Sequence, residues 1–328
     1  MKQLTRDILV SAFLGFVLPG LFLCYGAKVR RSIQKPVETT VPVSLPVRIR
    51  ASDGTVSEGE MEPYLVGVLL REMPAFFEEE ALKAQAVVAR TYARKAWETG
   101  GKHGDGSVCT EPACCQGYCG EEEYYLQGGR EEGVEKIRSA VCATAGQVLT
   151  YEEKLIEATY FSCSGGRTED AVSVWGTDFP YLCAVDSPGE EEAAYYRSEM
   201  TVPKSEIEQK LGVSLGQKVM DEIIYTEGGG VDTVCIGGTY FTGVEVRSLL
   251  GLRSTAFSMR EEGNNIVITT KGFGHRVGMS QYGADAMAVT GSTYEEILTH
   301  YYTDVLLTSM SEMVVWQWEH QLTMRTPR

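Results

Sequence analysis

Glu72 is the acidic residue with the most unusual sequence environment. It lies near the end of an apolar segment, residues 62–73 (EPYLVGVLLREM), which is typical of a mostly buried helix and which Pro74 ends. A carboxyl in apolar surroundings keeps its proton to a higher pH, as the general acid of a glycosidic cleavage must. The alternative is a solvated glutamate, or one that pairs with Arg71 at a helix end. The residue types leave both interpretations open.

A cluster of thiols and one imidazole lies within the Gly- and Cys-rich stretch of residues 99–133. The cluster consists of His103, Cys109, Cys114 and Cys115. Thiolates together with one imidazole fit a tetrahedral Zn²⁺ ion, and Cys119, close behind, could compete as a ligand. The spacing is not that of a CxxC knuckle. Apart from Cys24 the chain has eight cysteines, an even number that could all form disulfides. Zinc and disulfides are both open at this point.

Three basic residues share one face of the clearest predicted helix, residues 78–97 (EEEALKAQAVVARTYARKAW). Lys83 and Arg90 are seven residues apart, which is two helical turns, and Arg94 extends the stripe. Most stripes of this kind are charged faces exposed to solvent. The alternative is a set of donors for a polar, oxygen-rich ligand.

Other catalytic motifs do not fit the chain. Residues 278–282 (GMSQY) resemble a nucleophile elbow, but that motif needs a glycine at 282 and the glycine stands at 283. The glycines at 272, 274 and 278 lack the GxGxxG spacing, and there is no P-loop. No local signature supports a Cys–His protease, although residue types alone do not exclude one.

The composition narrows the class of protein. The 328 residues include 30 Lys+Arg and 45 Asp+Glu, a formal net charge of −15, which repels phosphate backbones and makes nucleic acid an unsuitable partner. Hydrophobic residues make up 43% of the chain, enough for a folded core. Four histidines exclude a His-rich metal site, and nine cysteines are too sparse for a disulfide-stapled miniprotein.

The N-terminal region predicts a membrane anchor. Residues 8–27 carry no charge and have the about 20 residues that a helix needs to cross a bilayer core. A cleaved signal peptide is the alternative, but cleavage after Ala27 would put the bulky Tyr25 at the −3 position. Basic residues on both sides of the span leave its orientation undecided. The three prolines of residues 32–46 indicate an extended linker.

The rest of the chain mixes helix and strand patterns without a βαβ rhythm, so we predict an α+β fold of mixed helices and strands in one large domain that follows the transmembrane helix. Helices are expected at residues 62–73, 78–97, 135–146, 204–211, 293–302 and, after a Gly-rich turn at 272–283, through residue 288. Strands are expected at residues 47–50, 147–151, 156–161 and 265–270, and residues 243–250 fit either type. The predicted organisation is 1–31 N-terminal tail and transmembrane anchor, 32–46 extended linker, 47–308 large folded domain and 309–328 a tail without assigned role.

Four sequence blocks, in order, resemble the stage II sporulation protein D family. They are residues 64–93 (YLVGVLLREMPAFFEEEALKAQAVVARTYA), 160–188 (YFSCSGGRTEDAVSVWGTDFPYLCAVDSP), 272–288 (GFGHRVGMSQYGADAMA) and 292–305 (STYEEILTHYYTDV). The EMP…EALKAQAVVARTYA and GHRVGMSQYGA runs are specific to this family. The family consists of membrane-anchored lytic transglycosylases of endospore-forming bacteria. The resemblance implies that residues 1–31 begin in the cytoplasm and that 47–308 is a catalytic ectodomain with a substrate cleft.

The resemblance implies a role for individual residues. The family's single catalytic glutamate corresponds to Glu72. The residues implied to bind substrate or shape its site are Lys83, Arg90, Ser162, Ser164, Trp175, His275, Ser280, Gln281 and Tyr282. Clostridial-type relatives carry a zinc site of the pattern His-x5-Cys-x4-His-Cys, and this chain matches it with His103, Cys109, Cys114 in place of the second His, and Cys115. The implied zinc is structural, because the family's reaction needs no activated water.

The resemblance also implies an activity and a place in the cell. The expected reaction cleaves the MurNAc–GlcNAc bond of peptidoglycan and leaves a 1,6-anhydro-MurNAc end, during forespore engulfment in sporulation. The domain is expected outside the cytoplasmic membrane, between mother cell and forespore, with a sporulation amidase and a membrane protein of the engulfment machinery as partners. One alternative is a muramidase that uses water and a second acid, Asp170, Asp178 or Asp186. The other is a peptidoglycan-binding activator of a partner amidase, since related domains resemble amidase enhancers.

Overall fold

The computed structural model describes residues 45–310 apart from residue 217. Its helices are α1 (Met61–Glu72), α2 (Glu79–Thr99), α3 (Glu121–Leu126), α4 (Glu131–Ala143), α5 (Ala171–Trp175), α6 (Lys204–Leu211), α7 (Gly243–Leu250), α8 (Gln281–Val289) and α9 (Tyr294–Tyr301). Its strands are β1 (Pro46–Arg50), β2 (Val56–Glu60), β3 (Ser107–Cys109), β4 (Gln147–Tyr151), β5 (Lys154–Leu155), β6 (Tyr160–Phe161), β7 (Arg197–Pro203), β8 (Asp221–Tyr225), β9 (Val231–Ile236), β10 (Thr239–Thr242), β11 (Phe257–Glu262), β12 (Asn265–Lys271), β13 (Met279–Ser280) and β14 (Leu306–Ser309).

Helix α2 is the central element of the first core. Its middle, from Ala81 to Ala93, is buried on almost every side, because α1, α4, α8, α9 and β4 all pack against it. The alanines let these neighbours approach closely and favour the helix. Gly100 ends the helix in the left-handed conformation, with φ of 89°, where a side chain would be strained. Helix α2 therefore gives the first core its rigid centre.

Short sheets join distant parts of the chain around this core. Strand β1 lies between antiparallel β2 and parallel β3, and β4 lies between β14 and β5. The two-residue strands β6 and β13 pair in parallel, so that Tyr160 lies opposite Met279 and Phe161 opposite Ser280. This pairing brings the second and third of the family-specific blocks side by side.

A second, smaller core is built by residues 202–268. Sheet β11–β12–β7, sheet β10–β9–β8 and helices α6 and α7 surround it. Val234, Ile236, Val246, Ile266 and Ile268 are fully buried there. The chain leaves the first core, builds the second and then returns to the first at Val277.

The structure confirms a mixed α/β architecture with several small sheets, and most predicted helices and strands are present within a few residues. Residues 243–250 form a helix, and the predicted strand at residues 156–161 is reduced to β6. Strands β7 to β11 were not predicted. No helix within residues 45–310 is long and apolar enough to span a bilayer. The predicted anchor at residues 8–27, most of the linker and most of the tail lie outside the described residues.

Candidate active site and metal centre

Glu72 is the last residue of α1, whose apolar side chains, Leu65, Val68 and Leu69 among them, are completely buried. The helix ends there because Met73, which precedes Pro74, is extended. Glu72 is half-buried, and its Oε1 accepts a hydrogen bond of 2.6 Å from the backbone N–H of Gly117. The buried helix thus holds the carboxyl in a fixed, partly dry position.

The surroundings of Glu72 favour its neutral form. Burial raises the pKa of the carboxyl, and this effect outweighs the Gly117 N–H, the Gln281 side chain and the Arg71 charge, which all lower it. The carbonyl end of α1 acts in the same direction as burial, because it disfavours a negative charge. No second carboxylate is among the described groups that shift this pKa. A lone carboxyl with a raised pKa is the expected form of a general acid.

Two buried polar atoms near Glu72 have no hydrogen-bond partner: the hydroxyl of Tyr160 and Nε2 of Gln281. Burial, and next the nearby Glu72 carboxyl, raise the pKa of Tyr160 far above its usual range, so the phenol stays a donor. The amide of Gln281 lies close enough to Glu72 to lower its pKa, although Nε2 makes no hydrogen bond of standard geometry. Buried polar atoms without a hydrogen bond of standard geometry are rare in folded proteins, and both of these lie beside the Glu72 carboxyl.

His275 is neutral and held by its neighbours. Burial lowers the pKa of the imidazole to about 4. Its Nδ1 accepts the Val277 N–H at 3.1 Å, which leaves the proton on Nε2. The ring lies between Phe161 and Trp175, at centroid distances of 5.6 and 5.3 Å. His275 therefore positions the loop of residues 272–278 and does not present a charge to substrate.

Glu190, which the sequence analysis missed, organises the loops beside Glu72. It is 1% exposed and accepts hydrogen bonds from both N–H and hydroxyl of Ser164, and from the hydroxyls of Ser187 and Ser280. A buried carboxylate needs such donors to compensate for lost hydration. Ser164 and Ser280, predicted to bind substrate, are fully buried by this network, so they position the loops that carry Tyr160 and Gln281.

Arg276 and Glu169 form a second buried polar group that no sequence signal revealed. The guanidinium, 2% exposed, donates to Glu169 at 3.0 Å and to the carbonyls of Ser164 and Gly228 at 2.7 Å each. Arg276 has a φ of 66°, a left-handed conformation that costs a non-glycine residue energy. The network holds this conformation and ties the second core to the active-site loops.

The two predicted basic residues of α2 do not form a substrate-binding stripe. Arg90 is 0% exposed and donates to both oxygens of Glu62, at 2.9 and 2.5 Å. Lys83 pairs with Glu79 and Glu80, one turn earlier in the same helix. Direct substrate contact is incompatible with the burial of Arg90, so of the two implied roles only that of a site-shaping residue remains a prediction. These contacts of Lys83 do not place its side chain near Glu72.

The other predicted residues lie around the same loops. The carbonyl of Ser162 accepts the Tyr282 N–H at 3.0 Å, which fixes the start of α8. The Tyr282 ring packs edge-on against Phe77 at 5.0 Å, and Trp175 remains 41% exposed beside His275. The structure thus connects most of the family-implied residues through loops that include Gln281, the neighbour of Glu72, whereas the α2 pair lies apart from these contacts.

His103, Cys109, Cys114 and Cys115 converge on one point. Their ligand atoms all lie within 4.8 Å of one another. The Cys115 sulfur is 3.5 Å from His103 Nε2, and the Cys114 sulfur is 3.9 Å from both. A tetrahedral zinc ion with Zn–S bonds of about 2.3 Å separates its ligand atoms by roughly 3.7 Å. The four residues fit a zinc ion in type, number and spacing.

The thiols of this cluster are suited to metal rather than to disulfides. Burial raises the pKa of Cys109, but the Glu111 N–H and the His103 side chain lower it more, to about 7, so the thiolate is accessible near neutral pH. No disulfide forms among the eight cysteines within residues 45–310. Cys119 lies apart from the cluster, with its sulfur toward the Gly120 carbonyl.

The metal cluster is linked to Glu72 by Gly117. This residue follows Cys115 by two positions, and its N–H is the backbone donor to the Glu72 carboxyl. A Cβ at Gly117 would lie 2.7 Å from Glu72 Oε1 and 2.6 Å from Arg71 Cγ, so only glycine fits. The loop that holds the candidate metal ligands therefore also sets the position of the Glu72 carboxyl.

Sequence comparisons identify the family of this chain. Residues 51–151 match the family model of the stage II sporulation protein. The chain is 40% identical over 277 residues to the Stage II sporulation protein D of Bacillus amyloliquefaciens, which covers 83% of this chain and 80% of the relative. It is 40% identical over 267 residues to the Stage II sporulation protein D of Bacillus subtilis, which covers 80% of this chain and 78% of the relative. It is 29% identical over 304 residues to a B. subtilis protein named Amidase enhancer, which covers 75% of this chain and 40% of that relative. The chain therefore belongs to the stage II sporulation protein D family.

Proposed function

We propose that this protein is a peptidoglycan lytic transglycosylase that uses Glu72 as its acid and base. The observation that carries the proposal is the half-buried Glu72 carboxyl at the end of a buried helix, with a raised pKa and no carboxylate among the described groups that shift it. The Tyr160 hydroxyl nearby, a buried donor without a hydrogen bond of standard geometry, supports an oxygen-rich ligand such as a glycan.

The reaction begins with proton transfer. Neutral Glu72 donates its proton to the oxygen that joins C1 of MurNAc to GlcNAc, and the C1–O bond breaks with the electron pair leaving on that oxygen. The ionised carboxylate is stabilised by the Gly117 N–H and the Gln281 amide, which are already in place before the step. Burial favours the protonated acid at the start, and these donors stabilise its anion afterwards.

The second step closes a ring within the same sugar. The C6 hydroxyl of MurNAc bonds to C1, and ionised Glu72 takes its proton, which regenerates the acid and leaves a 1,6-anhydro end. Because nucleophile and electrophile belong to one molecule, the association entropy is largely avoided, an advantage of about 7–11 kcal/mol at best. A single carboxyl is therefore sufficient, whereas hydrolysis typically needs two.

The acids of the muramidase alternative have other partners or surroundings. Asp170 accepts the Ala184 N–H at 2.7 Å, and Asp186 pairs with Arg167. Asp178 is exposed. None of them is among the groups that influence Glu72. These contacts favour the transglycosylase over the water-dependent enzyme.

A zinc ion held by His103, Cys109, Cys114 and Cys115 is proposed as a structural part of this enzyme. Four protein ligands complete a tetrahedral site, and closed sites of this kind are structural. The proposed chemistry needs no metal-bound water. The ion would fix the loop that carries Gly117 and thereby the position of Glu72.

The proposed cellular role is cell-wall remodelling during forespore engulfment. Family membership supports a role in sporulation. We place the domain on the extracytoplasmic side of the membrane, anchored by residues 8–27, between mother cell and forespore. A sporulation amidase that removes stem peptides, and a membrane protein of the engulfment machinery, are the proposed partners.

The decisive experiment compares the full chain with its Glu72→Gln variant on denuded glycan strands. The parent should release products that end in anhydro-MurNAc, one water lighter in mass spectrometry than reducing ends. Glu72→Gln should keep strand binding and thermal stability but lose cleavage by at least about 10²–10⁴-fold, since the amide donates no proton. Substantial turnover by the variant would reject Glu72, and reducing ends would indicate the muramidase.

A second function is favoured by the similarity to the protein named Amidase enhancer. In this alternative the chain binds glycan strands and activates a partner amidase with little catalysis of its own. Strand binding by the parent without cleavage at any pH, together with faster peptide release by the amidase, would support it. The two functions are compatible in one protein.

A further inference from the structure

A series of aromatic rings extends from the segment after Glu72 toward the second core. Phe76 contacts Phe77 at a centroid distance of 5.3 Å, and Phe77 contacts Tyr282 at 5.0 Å. Tyr282 contacts Tyr195 at 6.2 Å, and Tyr195 contacts Phe273 at 5.1 Å. All four contacts are edge-on, which is a favourable arrangement for aromatic pairs. The five residues come from three separate parts of the chain, so the fold assembles the series.

Much of this series faces solvent. Phe76 is 78% exposed and Phe273 is 38% exposed, while Tyr195 and Tyr282 are partly buried. Phe77 is 1% exposed and anchors the series in the first core. Exposed aromatic rings supported by a buried neighbour are typical of binding surfaces rather than of ordinary solvent-exposed faces.

A cation ends the series. The Arg253 guanidinium lies over the rings of Tyr195 and Phe273, at 5.1 and 5.7 Å from their centroids. The side chain is exposed and forms no ion pair with any residue between 45 and 310. Other arginines on the surface have acidic partners, as Arg167 has in Asp186 and Glu227. Arg253 is instead supported by two aromatic rings and is exposed, so its guanidinium can meet an anion.

The aromatic series is continuous with the proposed active site. Phe76 follows Glu72 by four positions, and Tyr282 follows Gln281, whose amide lies beside the Glu72 carboxyl. A polymer that enters the site past Gln281 would therefore meet Tyr282 next, and Tyr195 and Phe273 beyond it. We name this surface, Phe76, Tyr195, Arg253, Phe273 and Tyr282, the aromatic strip.

We propose that the aromatic strip binds the glycan strand beyond the cleaved bond, and that Arg253 binds a carboxylate of that strand. Pyranose rings expose apolar C–H faces, which aromatic rings cover well, and the free lactyl carboxylate of denuded MurNAc matches the guanidinium. Neutral sugar polymers would gain only the ring contacts. The inference rests on the proposed glycan substrate and adds a subsite that distinguishes muramic acid from other sugars.

The test measures binding separately from cleavage. The full chain carrying Glu72→Gln is titrated with denuded glycan strands and, in parallel, with chitin oligosaccharides, which have the same backbone without the carboxylate. Tyr195→Ala and Phe273→Ala should each weaken binding of both polymers by about fivefold or more. Tyr225→Ala, an exposed tyrosine of β8 outside the aromatic strip, is the matched control and should bind like the parent.

A separate set of variants tests the contact between Arg253 and the carboxylate. Arg253→Gln should weaken binding of denuded strands by about fivefold while it leaves chitin binding unchanged. The difference in affinity between parent and variant should shrink at high salt, because salt screens the contact between the guanidinium and the carboxylate. Arg253→Lys should recover part of the affinity, because it keeps the charge without the flat stacking. Arg260→Gln, an exposed arginine of β11, is the control.

The outcomes separate this inference from the proposed function. If Tyr195→Ala and Phe273→Ala bind both polymers like the parent, the aromatic strip is not a subsite, whatever the enzyme does. If Arg253→Gln weakens both polymers equally, the carboxylate contact is wrong. If the strip variants lose binding but the chain with Glu72 intact never cleaves strands, the proposed catalysis fails while the subsite stands.

Discussion

The Glu72 carboxyl experiences opposing influences of different strength. Burial and the carbonyl end of α1 favour its neutral form, whereas the Gly117 N–H, the Gln281 side chain and Arg71 favour its anion. Burial is the largest of these, so the pKa lies above that of a free glutamate. Because the first step needs the protonated acid, the cleavage rate should fall as the pH rises through this raised pKa.

Gln281→Leu tests that balance at a single residue. The change removes an amide that lowers the pKa of Glu72, so the pKa rises further and the alkaline limb of the rate profile should move to higher pH. The measurement is kcat/KM for denuded strands across pH, since this ratio reports the free enzyme. Gln209→Leu on the exposed face of α6 is the control. An alkaline limb that moves to lower pH would contradict the assignment.

Residue types alone could identify Glu72 but not its supporting network. The apolar run before Glu72 is local, so it is visible in the sequence. The partner of Arg90 is Glu62, 28 positions away, and nothing local shows that the guanidinium is buried. Glu190 stands in a run of three glutamates that resembles a solvated loop, yet it is 1% exposed. Long-range pairing of polar groups has no periodic signal.

Elements were predictable where their pattern was local and strong. The Ala-rich sequence of α2 and the charged helix α6 were identified nearly to the residue. Strand β8 was missed because it has no buried face, so its residues show no alternation of polar and apolar types. Strands of the second core acquire their stability from sheet pairing, which propensity does not reveal.

The loop with the metal ligands is the element on which Glu72 depends, and Cys109→Ser tests it. The variant should lose bound zinc, and a loss of about 2–3 kcal/mol should lower the Tm by roughly 5–10 °C. Metal content and Tm are measured on the purified full chain. Cys142→Ser, an exposed cysteine outside the cluster, should change neither.

The same variant distinguishes a structural from a catalytic metal. With a structural ion, Cys109→Ser should reduce metal content and Tm more than it reduces the rate of bond cleavage measured at low temperature, where the remaining protein stays folded. Proportional loss of zinc and of the chemical step, at unchanged Tm, would contradict the structural role.

At the scale of the whole molecule, the two cores are joined beside the active site. The Arg276 guanidinium bonds to Glu169 and to the Gly228 carbonyl, and Glu169 accepts the Gly230 N–H at 2.9 Å. Glycine is required at 228, where a Cβ would lie 2.3 Å from the Thr168 carbonyl oxygen. The close approach of the backbones therefore makes the junction rigid. The loop of residues 272–278 is held rigidly as well, because it contains Arg276.

Arg276→Met should expose how strongly this junction depends on its buried charges. The change leaves the Glu169 carboxylate, which is 0% exposed, without its cation. It should therefore lower the free energy of unfolding by about 3–5 kcal/mol. Adding Glu169→Gln removes the unpaired buried charge and should recover part of the lost stability. The control is Arg197→Met, which breaks an exposed ion pair and should cost less than about 1 kcal/mol. Denaturant unfolding measures all three. If Arg276→Met is as mild as Arg197→Met, or if Glu169→Gln adds a further loss, buried charge pairing does not hold the two cores together.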